Sequence, residues 1–123
     1  MEISRLTLQQ QAALLEILIL AMYADGSLDL DEDARLNRLL TTMGVETEYD
    51  RDRVLDDSIT RLREYSQTPQ LARTHAVKLA QVFTDPEQCR GVYQLIEQQV
   101  NSDTKVVPAE HEFLSAMRTV LKL

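Results

Sequence analysis

Apolar side chains recur along this chain at helical spacing, and the polar residues between them fall where helices start and stop. From about Thr7 to Ala24 the run Leu14, Leu15, Ile17, Leu18, Ile19, Leu20 and Met22 is apolar on nearly every side, which predicts a central helix enclosed by others. The Gly26 region ends it. A second helix is expected from about Asp29, whose spacing to Glu32 fits a capping box, through Leu36, Leu39, Leu40 and Met43 to Gly44. Thr47 opens a third, with Leu55, Ile59 and Leu62 along one side. Thr68-Pro69 and Asp85-Pro86 each read as an N-cap followed by proline at the first helical position, where its missing N–H costs nothing. They open the fourth and fifth helices. Pro108 opens the sixth, which carries Phe113, Met117 and Val120. The expectation is all-α: one domain, residues 1–123, forming a compact bundle of about six helices.

The chain also matches itself. At an offset of 78 residues Leu14, Ile17, Leu18 and Met22 fall over Val92, Leu95, Ile96 and Val100. Asp25 falls over Asp103, Leu28 over Val106, Glu32 over Glu110 and Leu36 over Leu114. Each half reads as an apolar helix, an acidic turn, then a glutamate in the first turn of another helix. Concordant apolar positions on both flanks predict an internal pseudo-twofold helix-loop-helix repeat.

Composition narrows the function. The chain has 44% apolar residues and no Trp, so the core is built from aliphatic side chains, with few flat platforms for stacking bases or sugars. A net charge of −7 repels phosphate backbones and argues against a nucleic-acid partner. One cysteine, Cys89, cannot form an internal disulfide, which fits a reducing cytoplasm. The longest apolar run, Leu14 to Ala24, is interrupted by Glu16 and falls short of the roughly 20 residues that span a bilayer. It lacks the basic start and cleavage site of a signal peptide, so a mature cytoplasmic chain without direct membrane insertion is expected.

In both halves the pattern Asp-x6-Glu-x3-Leu sets a carboxylate at the end of one helix and another at the start of the next. Such oxygen ligands suit hard cations, and Asp25, Glu32, Asp103 and Glu110 are the candidate ligands for a divalent ion, calcium ahead of magnesium. Asp25-Gly26-Ser27-Leu28 with Glu32 matches the latter half of an EF-hand loop. The earlier ligand positions hold Ala21 and Tyr23, and in the second half Gln99 and Asn101, so a complete EF-hand is rejected. The same acids also have a purely structural reading. Asp at a turn caps helices, and the helix dipole favours Glu in a first turn without any ligand.

Ala24-Asp25-Gly26 with Glu32 and Leu36, followed in order by Val106-Val107-Pro108-Ala109-Glu110 with Phe113-Leu114, resembles the paired acidic signatures of the tellurite-resistance TerB family. The resemblance spans nearly the whole chain. It implies a pseudo-twofold helical bundle in bacterial chemical-stress systems, whose partners are other stress-response proteins and whose acidic residues bind metal. Related domains stand at the front of some membrane-bound DnaJ-like cochaperones. Carried over by residue, the implicated positions are Asp25 and Glu32, then Asp103 and Glu110. The second signature departs from the family: Ser102-Asp103-Thr104 replaces Ala-Asp-Gly, so a left-handed turn forms less easily there. Tellurite is an anion, which an acidic cluster repels unless a cation bridges the two.

Catalytic motifs are missing. There is no nucleophile elbow, no phosphate-binding glycine loop and no Glu-x-x-His pair, so no enzyme activity is expected. His75, on the side of Leu71, Leu79 and Val82, reads as a structural histidine. His111, between Glu110 and Glu112, either joins a cation site or pairs with an acid in solvent. Cys89 reads as an ordinary helical cysteine, although a helix N-terminus lowers a thiol pKa. The charged stretch from Glu46 to Asp57 is a solvated face or a docking face for a basic partner. A metal-independent helical interaction module is therefore the alternative function.

Overall fold

The computed structural model describes residues 5–25, 34–100 and 108–123. Six α-helices lie among them, with no strand: α1 Leu8–Asp25, α2 Ala34–Thr42, α3 Glu48–Leu62, α4 Pro69–Ala80, α5 Pro86–Val100 and α6 Pro108–Val120. A 3₁₀ turn, Arg63–Tyr65, follows α3. The expected start of α2 at Asp29 lies outside the described residues.

The predicted caps are in place. Thr47 Oγ1 accepts from the Asp50 amide at 3.1 Å and Thr68 Oγ1 from the Leu71 amide at 3.1 Å, with Pro69 at the first helical position. Asp85 Oδ2 accepts from the Gln88 amide at 3.0 Å. Each satisfies a donor that the helix cannot satisfy itself. Asp85→Ala is expected to lower stability by about 1 kcal/mol, measurable as a shift of the urea midpoint at unchanged slope.

α1 is the hub, packing most extensively on α4 and then on α5 and α6. Leu14, Ile17, Leu18, Ile19 and Leu20 are all fully buried, which is why the helix is apolar on every side. Its one acid in this stretch, Glu16, accepts from Arg61 Nε of α3 at 3.1 Å. α4 meets α1 in an unexpected way. Its buried residues are Ala72, Ala76 and Ala80, one turn apart, while Leu71 is 43% exposed. Small side chains let the two backbones approach closely, and the larger Leu79 and Val82 sit half-buried beside them.

Several features obey the offset of 78. Thr7 caps α1 through the Gln10 amide at 3.1 Å, as Asp85 caps α5 through Gln88. α2 ends in a Schellman motif, with Val45 N–H bonding Leu40 O at 2.9 Å and Gly44 N–H bonding Thr41 O at 3.0 Å. α6 ends the same way, with Leu123 N–H bonding Arg118 O at 3.0 Å and Lys122 N–H bonding Thr119 O at 3.2 Å. The pivots, Gly44 and Lys122, have φ of 91° and 60°. Gln10 and Gln88 are themselves 78 apart and touch, Nε2 to Oε1 at 3.3 Å.

Candidate functional site

The four candidate ligands belong to the junctions between α1 and α2 and between α5 and α6. Asp25 is the last residue of α1, and its side chain, with all of Glu32 and Asp103, lies outside the described residues. Glu110 is described. It occupies the first turn of α6 and is fully buried, at 0% exposure. Taking a carboxylate out of water costs several kcal/mol unless charge or hydrogen bonds compensate, and the positive end of the helix dipole is one such compensation. Gln11 and Gln99 are buried as well, at 5% and 6%. Their counterparts at the offset of 78, Cys89 and Ala21, are buried too, so the two halves differ in polarity at matching core positions.

Among the described residues no group of three or more His, Cys, Asp or Glu side chains is arranged to hold a metal ion. His111 is exposed and lines a shallow groove between α4 and α6 with Arg73, Glu112 and Ser115. Its neighbour Glu112 pairs with Arg73, at 2.8 Å. This exposed pair contributes little to stability. The acidic opening of α3 faces water: Glu48, Asp50, Asp52, Asp56 and Asp57 are all exposed.

His75 is half-buried and its ring stacks on Tyr65, with centroids 3.8 Å apart and planes parallel. Burial lowers its pKa below 6.5, with Lys78 adding to the effect and Glu16 and Glu64 opposing it. The fold therefore favours the neutral ring. That contribution is complete above the unfolded pKa of about 6.5 and is lost as pH falls through the lower folded value. The parent is expected to lose more thermal stability between pH 7.5 and pH 5 than His75→Phe, which keeps a stacking ring without a titrating group. Parallel loss in the two proteins would show that His75 does not contribute.

Cys89 is buried, and its thiol donates to Phe83 O at 3.5 Å. Burial, followed by the charge of Asp85, raises its pKa against a lowering by Lys122, so its surroundings do not activate the thiol. Sequence reading passed over two contacts, Gln10 with Gln88 and Glu16 with Arg61. The offset of 78 carried a signal for the first; nothing local announces the second.

No helix among the described residues is long and apolar enough to cross a membrane. Compared with protein-family models, curated proteins and solved structures, the chain matches none.

Proposed function

We propose that this chain is a TerB-like, non-enzymatic accessory protein of a bacterial chemical or metal stress response. It acts in the cytoplasm, where paired acidic half-loops bind a divalent cation, calcium in preference to magnesium, and the bound state recruits another protein. The ligands are Asp25 and Glu32 in one half, Asp103 and Glu110 in the other. The observation that carries this reading is the common register of the two halves, with matching caps at Thr7 and Asp85 and matching pivots at Gly44 and Lys122. In the sequence the two acidic half-loops fall at equivalent positions of that register. Hard oxygen donors select calcium or magnesium over softer metals, and they repel tellurite itself.

A second reading, the metal-independent interaction module, is favoured by one observation: Glu110 is fully buried in the first turn of a helix, where a carboxylate has a structural use without any ion. The two readings separate on thermal unfolding with and without millimolar calcium. Stabilisation that falls by half or more in Asp25→Asn, Glu32→Gln supports the cation reading. The same midpoint with and without the ion supports the interaction module.

A further inference from the structure

A cavity of about 360 Å³ opens at one end of the bundle, where the α4–α5 connection, the first turns of α5 and the end of α6 meet. Phe83, Cys89 and Leu121 are buried and form an apolar floor, with Val120 half-buried beside them. Arg90 and Lys122 are exposed and stand at the mouth. The volume lies within the roughly 300–1,000 Å³ usual for small-molecule sites, and an apolar lining with a few convergent polar groups is their usual composition.

Two features of the mouth point to an anion. First, neither Arg90 nor Lys122 makes an ion pair among the described residues, although the chain carries a net charge of −7. Second, Lys122 has φ of 60°, a left-handed conformation that costs any residue with a side chain more than it costs glycine. Its counterpart at the offset of 78 is Gly44, at φ of 91°, so a glycine meets the same turn without that cost. The Schellman end of α6 sets this turn and holds the Lys122 backbone beside the cavity. Burial and the charge of Asp85 keep the Cys89 thiol protonated, and the positive charge of Lys122 opposes that of Asp85 beside it.

We propose that this cavity binds a small amphipathic monocarboxylate, its alkyl tail on Phe83, Leu121 and Cys89 and its carboxylate held between Arg90 and Lys122. Octanoate is the probe. Titrated into the isotope-labelled chain below its own aggregation concentration, it should shift the backbone amide resonances of Cys89, Arg90, Leu121 and Lys122. Acetate has the charge without the tail, and octanol the tail without the charge; each should bind at least tenfold more weakly. Arg90→Gln, an exposed substitution that leaves the fold intact, should weaken octanoate about tenfold, the loss of one charge-assisted hydrogen bond. Lys122→Gly should weaken it similarly while raising the Tm of the unliganded protein, because the turn is relieved. Octanol binding as tightly as octanoate overturns the proposal, as does unchanged affinity in both variants. Resonance shifts confined to other residues, or none at all, do the same.

Discussion

Phe113→Ala is expected to lower the unfolding free energy by about 3–5 kcal/mol, the largest effect of any single truncation considered for this domain. Phe113 is one of two phenylalanines in the chain and is completely buried in the middle of α6. Its ring is part of the same core as Leu18, Leu39 and Met117. Removing it takes away the transfer free energy of the ring and leaves a cavity that aliphatic neighbours, already closely packed, fill only in part. A domain of this size has roughly 5–15 kcal/mol to lose, so the variant should melt about 10–20 °C below the parent. Calorimetry measures this directly, with Leu8→Ala as the control. Leu8 is 79% exposed, and its truncation should change stability by less than about 0.5 kcal/mol. Equal effects at the two positions would contradict the packing described for α6.

Calcium at about 100 times its dissociation constant is expected to stabilise the parent by about 2.7 kcal/mol, or about 10 °C in Tm for a chain of this length. Asp25→Asn, Glu32→Gln should halve that gain or more, because neutral amides keep the shape of the half-loop and lose its charge. The first half-loop is the right place to cut. Glu110 is buried, so Glu110→Gln changes the folded protein whether or not an ion binds, and its effect on the calcium response cannot be read alone. Magnesium should stabilise less, since it demands near-octahedral geometry and gives up its water reluctantly. If calcium leaves the midpoint unmoved at every concentration, the acids serve the fold, and the exposed acidic start of α3 becomes the first surface to test for a basic partner.

The features legible in the sequence are those set by local chemistry. The caps at Thr47, Thr68 and Asp85 were readable because a cap needs only a short oxygen-bearing side chain three residues before its donor. Pro69, Pro86 and Pro108 marked helix starts because proline is welcome there and not further in. The central position of α1 followed from its lack of a polar face.

Tertiary structure decided which face of each helix met a neighbour. Leu71 looks like a core residue by type, yet α4 turns its alanines toward the core and leaves Leu71 43% exposed. That Glu110 is buried could not be read from its charge, since the packing around α6 sets its exposure. The pairing of Glu16 with Arg61, the touching glutamines 10 and 88, and the cavity between Arg90 and Lys122 each join segments far apart in sequence. Helical periodicity therefore determined the class of fold, the ends of its elements and the candidate acids. Which side chains share a surface depended on how the helices dock, because that is fixed by complementary shape across contacts that no local pattern encodes.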